Sequence, residues 1–187
     1  MNTRVVETVV TYLSLSAPPA HLPSMPSSPR LALMRAERIP LHFYRYLYRS
    51  VGGQWLWIER LQLEDADLSR KVHCEGIEIY VLYANGSPAG YYELDFRTRA
   101  RTNLAYFGLV PEWTGYRIGP WLLGTAIAEG FSRGAKEITV NTCTLDHPAA
   151  LPLYQRLGFS PVRREGRHLA VPSDIPIPGH IAARIAP

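Results

Sequence analysis

Two segments of the sequence carry residue types that bind anions or move protons. The first, residues 108–123, reads Gly-Leu-Val-Pro-Glu-Trp-Thr-Gly-Tyr-Arg-Ile-Gly-Pro-Trp-Leu-Leu. It predicts a strand, a loop with Gly115 and Gly119, and a helix whose first turn suits Pro120. Free amides at a helix start and the helix dipole stabilise an anion, and Arg117 adds a charged donor. The pattern indicates a phosphate-binding loop, although glycines in such a turn often serve conformation alone.

The second segment, residues 142–159, places a tyrosine on a predicted helix. Tyr154 lies on the apolar face of that helix, which begins beside the end of the preceding strand. By its pattern alone it is a core tyrosine with its hydroxyl at the rim. Asp146 and His147 suggest a dyad, but adjacent side chains rarely point the same way. We therefore expect Asp146 to cap the helix.

The elements around these segments form a mixed α/β pattern. Apolar residues after Pro40 recur at helical spacing until Gly52-Gly53 stops them. Alternating residues on both sides of Asn85-Gly86 predict a hairpin within an antiparallel meander. A strand, loop, helix, strand and helix follow the meander. The predicted helices cover 40–52, 63–71, 120–133 and 148–157, and the predicted strands cover 4–15, 77–83, 89–97, 101–110, 137–144 and one or two stretches within 159–171.

Length and composition predict one globular domain over residues 1–187. The chain is 47% hydrophobic and 19% charged, which is typical of a folded domain with a sizeable core. Proline-rich stretches predict a loop at about 17–30 and an irregular tail at about 172–187. Cys74 and Cys143 lack metal-type spacing, so we expect small buried thiols and no metal site.

Charge and hydropathy narrow the expected partners and compartment. The formal net charge of +4 is too diffuse to indicate nucleic-acid binding. No apolar run reaches membrane-spanning length, so we expect no membrane segment. The start of the chain lacks the charged and apolar blocks of a signal peptide, which favours a cytoplasmic protein. A homodimer is left open.

Taken together, and in this order, the two segments resemble the GNAT superfamily of N-acyltransferases. The acyl-CoA motif of that family, Val-Pro-x-x-Arg/Gln-Gly-x-Gly-x-Gly, matches residues 110–119. A later family motif, Asn-x-x-Ala-x-x-x-Tyr-x-x-x-Gly-Phe, is matched at His147, Ala150, Tyr154, Gly158 and Phe159. Thr114, Arg117 and His147 depart from the family pattern, where arginine or glutamine, glycine and asparagine are usual. The resemblance spans about residues 77–162.

The resemblance implies a single GNAT-like α/β domain with a mostly antiparallel, splayed central sheet flanked by helices. It implies direct transfer of an acetyl group from acetyl-CoA to an amine acceptor. Tyr154 would be the general acid for the leaving thiolate. The cofactor-binding residues implied are Gly108, Leu109, Val110, Thr114, Gly115, Tyr116, Arg117, Ile118, Gly119, Pro120 and His147.

The sequence leaves open both the identity of the catalytic base and the activity. Glu93 would take the amine proton if its face lines the cleft, and otherwise it is a solvated strand residue. Asp95 shares its face and is the reserve candidate. Cys143 could carry the acyl group as a nucleophile, although a structural role is favoured. A binding module that senses acyl-CoA without turnover, or a scaffold that binds none, would fit the same fold.

Overall fold

The computed structural model describes residues 3–183 and 185 as one mixed α/β domain. Short 3₁₀ turns cover Gly53–Trp55 and Pro111–Trp113. The strands are β1 (Thr3–Leu15), β2 (Leu31–Arg35), β3 (Ile77–Ala84), β4 (Ser87–Thr98), β5 (Arg101–Leu109), β6 (Glu137–Cys143) and β7 (Ser160–Pro172), and the helices are α1 (Leu41–Gly52), α2 (Asp65–Val72), α3 (Ile118–Ser132), α4 (Ala150–Arg156) and α5 (Gly179–Ala182).

The seven strands form one sheet in the order β2-β3-β4-β5-β6-β1-β7. Every neighbouring pair is antiparallel except β5 and β6, which run parallel. The predicted mixed α/β fold with a mostly antiparallel sheet is thereby confirmed. The parallel pair is short, because its register runs only from Arg101↔Glu137 to Leu104↔Val140. The sheet therefore opens in its middle.

Helices cover both faces of the sheet because apolar side chains alternate on the central strands. Leu122 and Ile127 of α3 and Tyr154 of α4 share a core with inward residues of β4 to β6. Tyr44 and Leu47 of α1 share the other core with α2 and with alternate residues of β3 and β4. The phosphate-loop candidate thus lies on the α3 face, and the loop after α1 lies on the opposite face.

Three features of the fold differ from the sequence expectations or extend them. β2 was not predicted, because five residues with largely exposed side chains carry little periodic signal. Residues 159–171 form one strand rather than two, which pairs with β1 throughout. The predicted irregular tail contains α5, whose Ile181 is buried against Val6 and Val171, while residues 184, 186 and 187 of that tail lie outside the described residues. Among the helices of residues 3–183, none is long and apolar enough to cross a membrane.

Candidate functional site

A cleft opens where β5 and β6 separate. Beyond Leu104↔Val140 the two strands are no longer paired, so one edge of residues 105–109 faces away from any strand in the register. These five residues are all half-buried. The opposite edge of β5 remains paired with β4 as far as Leu109↔Gly90. A cavity of about 920 Å³ lies along the free edge, large enough for an extended cofactor arm and a small second molecule.

The loop that follows β5 closes one end of this cavity. The amides of Trp113 and Thr114 donate to the carbonyls of Val110 (3.0 Å) and Pro111 (3.1 Å) within the 3₁₀ turn. The amide donors available beyond the turn therefore begin at Gly115. The residues of the loop and of the start of α3 that line the cavity are Pro111, Thr114, Gly115, Arg117, Ile118, Gly119 and Pro120.

Left-handed backbone at two positions turns the loop into α3. Gly115 has φ +87° and Arg117 has φ +59°. Arg117 stands where the sequence motif has a glycine. Its backbone conformation explains why glycine is usual there, because a left-handed conformation costs a residue that carries a side chain about 1–2 kcal/mol. Its side chain is exposed beside the cavity, where it supplies a positive charge. Tyr116 points elsewhere: it is 53% exposed and its ring packs on Trp113.

Three of the expected cofactor-binding residues lie at the end of β5 and just after it, and they differ in exposure. Gly108 and Leu109 line the cavity, whereas Val110 is buried in the core under α1 and donates its amide to Ala89 (2.9 Å). A Cβ atom on Gly108 would lie 2.4 Å from Cγ1 of Val51. Glycine at 108 is thus required by the packing of α1 on the sheet.

Tyr154 lies on α4 at the cavity, with only 5% of its surface exposed. Its ring packs against Phe107 of β5 and against Phe159, with centroid distances of 6.1 and 5.8 Å. Burial, and secondarily the carboxylate of Asp146, raises the pKa of Tyr154 above its usual range. The phenol is therefore protonated at neutral pH and can donate a proton.

Asp146 does not cap α4, so that expectation was wrong. Its carboxylate accepts hydrogen bonds from the Thr142 hydroxyl (2.7 Å), the Cys143 amide (2.8 Å) and the Trp57 indole (3.1 Å). The turn before α4 uses His147 instead, whose Nδ1 accepts from the Ala149 amide at 3.0 Å. Asp146 thereby ties the end of β6 to the loop after α1.

Glu93 is neither a solvated residue nor a residue of the cavity wall. It is fully buried on the α1 face and is not among the side chains that line the cavity. One carboxylate oxygen accepts from the Tyr44 hydroxyl at 2.7 Å, and the other pairs with Arg60 at 2.9 Å. Burial raises the pKa of Glu93, and Arg60 opposes that rise. Its register partner on β5, Tyr106, does line the cavity.

A known protein family matches the part of the chain that forms this cleft. The family model described as Acetyltransferase (GNAT) family matches residues 42–159, more than half of the 187-residue chain. The chain belongs to the GNAT family. The matched range starts in α1 and ends just after α4, so it includes the free edge of β5, the loop before α3 and Tyr154. Among proteins of curated function, no relative matches this chain.

Solved structures share the GNAT fold at low sequence identity. A GCN5-related N-acetyltransferase from Sphaerobacter thermophilus is 18% identical with a TM-score of 0.58, over 91% of this chain and 54% of that one. A GNAT-family acetyltransferase from Streptococcus pneumoniae is 14% identical with a TM-score of 0.53, over 70% and 88%. An aminoglycoside acetyltransferase from an uncultured soil sample, in complex with trehalose, is 15% identical with a TM-score of 0.55, over 68% and 87%.

The chain spans only part of several of these structures. It covers 62%, 54% and 55% of the length of the first three matched chains. At such identities the likeness shows the fold alone.

Sequence reasoning missed Arg60 of this GNAT-family site. The residue lies in the loop between α1 and α2, 33 positions before Glu93, and no local pattern signals their pairing. Besides Tyr154, the aromatic residues that line the cavity are Tyr12, Tyr48, Trp55, Trp57, Tyr106 and Phe107.

Proposed function

We propose that this GNAT-family chain transfers an acetyl group from acetyl-CoA directly to a primary amine. The observation that carries the proposal is the free edge of β5, which shares one cavity with the loop before α3 and with Tyr154. A strand edge, an anion-binding loop and a buried proton donor are the three parts that aminolysis of a nucleotide-linked thioester requires.

The residues present fit coenzyme A. Backbone groups of Gly108 and Leu109 would pair with the pantetheine arm as with an added strand. The amides from Gly115 to Gly119, with the N-terminus of α3 behind them, would hold the pyrophosphate, and Arg117 would add a charge-assisted donor. The bound cofactor supplies an acetyl group activated as a thioester.

The chemistry requires one net proton transfer from the amine to the sulfur. The amine nitrogen joins the acetyl carbon, and the carbon–sulfur bond breaks. Tyr154 would donate its phenolic proton to the leaving sulfur, since burial raises the pKa of its hydroxyl and keeps the proton on it at neutral pH.

Glu93 would influence the reaction only through the residues that it contacts. Arg60 and Tyr44 occupy its two oxygens, and its register partner Tyr106 lines the cavity while Glu93 does not. A direct transfer from the amine to this carboxylate has no support in that arrangement. The amine would instead lose its proton to water in the open cavity, and water would return a proton to the Tyr154 phenolate, which completes the net transfer from nitrogen to sulfur.

Calorimetry with coenzyme A and acetyl-CoA, followed by a thiol-release assay over a panel of amines, tests the proposal. Binding together with release for at least one amine supports the enzyme. Binding without release across the panel would overturn the transferase and favour an acyl-CoA sensor. A flat titration would remove the cofactor site itself.

A further inference from the structure

Three aromatic rings form a continuous wall along part of the cavity. Tyr48 of α1, Trp57 of the following loop and Tyr106 of β5 contact one another in a triangle, with centroid distances of 5.5, 5.1 and 5.3 Å. All three line the cavity. Tyr48 is buried behind the other two, and Trp57 and Tyr106 are half-buried, so these two present ring surface to the space. We call this set the aromatic wall.

The aromatic wall is held in place on both sides. The indole nitrogen of Trp57 donates to Asp146 at 3.1 Å, and Arg60 lies over the ring of Tyr106 at 5.2 Å while pairing with Glu93. Rings that are fixed before binding lose little conformational entropy when a ligand packs on them. The wall therefore provides a preformed apolar surface.

The charges near the aromatic wall favour a cation. The carboxylates of Asp146 and Glu59 line the cavity at this end. The arginines that line the cavity lie on other elements, Arg117 before α3, Arg156 at the end of α4 and Arg167 on β7. A protonated amine is thus attracted to the wall end, and an apolar group attached to it can reach the rings.

We propose that the acceptor is an arylalkylamine: a primary amine on a short linker to a flat, apolar ring that packs on Tyr48, Trp57 and Tyr106. This inference rests on the proposed transferase function and adds the substrate class. Sugar-like amines and linear polyamines offer these rings less flat apolar surface than an aryl group does.

The test uses matched amines and two readouts. Thiol release is measured with 2-phenylethylamine, ethanolamine, putrescine and the aminoglycoside kanamycin as probes. We expect kcat/KM for 2-phenylethylamine to exceed that for ethanolamine by about tenfold or more, since apolar pockets discriminate by factors of that order. In parallel, tryptophan fluorescence follows the titration of 2-phenylethylamine into the protein without cofactor, and we expect a saturable change.

Variants connect the preference to the wall. Trp57→Leu should raise the KM for 2-phenylethylamine and lower the preference over ethanolamine, with the Kd for coenzyme A unchanged. Trp57→Phe keeps a ring and should retain the preference. Tyr46→Leu removes an exposed tyrosine on the outer side of α1 and should change neither value.

Failure of the arylalkylamine proposal and failure of the proposed transferase function would give different results. Equal or better turnover of kanamycin or ethanolamine would overturn the aryl class while leaving the transferase intact. Turnover and fluorescence titrations that Trp57→Leu does not alter would place the acceptor elsewhere in the cavity. Absence of thiol release with every amine would instead overturn the proposed function, and a fluorescence titration that saturates in the parent but not in Tyr106→Leu, which keeps Trp57 as the reporter, would then still support the arylamine site.

Discussion

Arg60 and Glu93 form an ion pair that is buried between the loop after α1 and strand β4. The Nη2–Oε1 distance is 2.9 Å, and the side chains are 13% and 1% exposed. The Tyr44 hydroxyl satisfies the second carboxylate oxygen at 2.7 Å, whereas Nη1 of Arg60 is buried without a hydrogen-bond partner among the described residues. The pair links the segment that carries Trp57 to the sheet.

We expect either half of this pair to be costly to remove alone. Glu93→Gln and Arg60→Gln should each lower the free energy of unfolding by about 3–5 kcal/mol, because the remaining group stays buried without its partner. The double variant Arg60→Met/Glu93→Leu should recover most of that loss. Urea unfolding measures all three. Arg70→Gln, which breaks the exposed pair with Asp67, should cost less than about 1 kcal/mol. Single variants as stable as the parent would show that the pair contributes nothing.

The pH dependence of turnover separates a structural Glu93 from a catalytic one. Because both carboxylate oxygens are occupied, we expect the rising limb of the kcat/KM profile to keep its position in Glu93→Gln and in Arg60→Met/Glu93→Leu. The measured effect should be a higher KM for the amine, since the aromatic wall loosens. A rising limb that disappears in both variants, with coenzyme A binding intact, would make Glu93 the base after all.

Local signals predicted the loop and the tyrosine that line the cavity, and long-range contacts decided the other contacts around it. The loop at residues 114–120 and the position of Tyr154 follow from glycine, proline and apolar spacing within short segments. The partner of Glu93 lies 33 residues earlier in a loop, and nothing in the local sequence selects Arg60 for it. The same holds for Asp146, whose side chain turns back to Trp57, 89 residues away, rather than forward to α4.

The order of the strands in the sheet likewise depends on contacts between residues that are far apart in the sequence. The Val, Thr and Tyr content of residues 4–15 predicts a strand but not its neighbours. In the structure β1 lies between β6 and β7, contacts that span more than 120 residues. Strand pairing of that kind depends on which faces remain unburied once the other elements have packed, which a single sequence does not display.

Tyr154→Phe should lower kcat by about 10²–10⁴-fold with little change in the Kd for coenzyme A, because it removes only the donated proton. Since the pKa of Tyr154 is raised, the parent should show no falling limb from this group below about pH 10. Steady-state kinetics over pH 6–10 checks both points. Tyr80→Phe, a tyrosine stacked on Tyr92 and distant from the cavity, is the matched control. Equal kcat values in Tyr154→Phe and in the parent would remove Tyr154 from the mechanism.

Gly119→Glu should weaken coenzyme A binding by about tenfold or more, which corresponds to about 1.4 kcal/mol. A Cβ atom there would lie 3.8 Å from Leu153 and 3.9 Å from Leu109, so the fold accommodates the substitution. The carboxylate would repel the pyrophosphate at the start of α3. Gly119→Gln adds similar bulk without charge and should weaken binding less, and the difference should shrink at high salt. Calorimetry measures both constants, and equal Kd values for Gly119→Glu and the parent would show that the pyrophosphate lies elsewhere.

Cys143→Ala should leave turnover within about twofold of the parent, because the direct mechanism forms no covalent enzyme intermediate. The thiol lines the cavity, but burial raises the pKa of Cys143, and the carboxylate of Asp146 raises it further. A thiol held in its protonated form is a poor nucleophile at neutral pH. Incubation with acetyl-CoA in the absence of amine should therefore add no acetyl mass to the protein at Cys143. A two-step route through this cysteine would replace direct transfer if two results were found together. The parent protein would become acetylated while Cys143→Ala would not, and Cys143→Ala would lose most of its turnover.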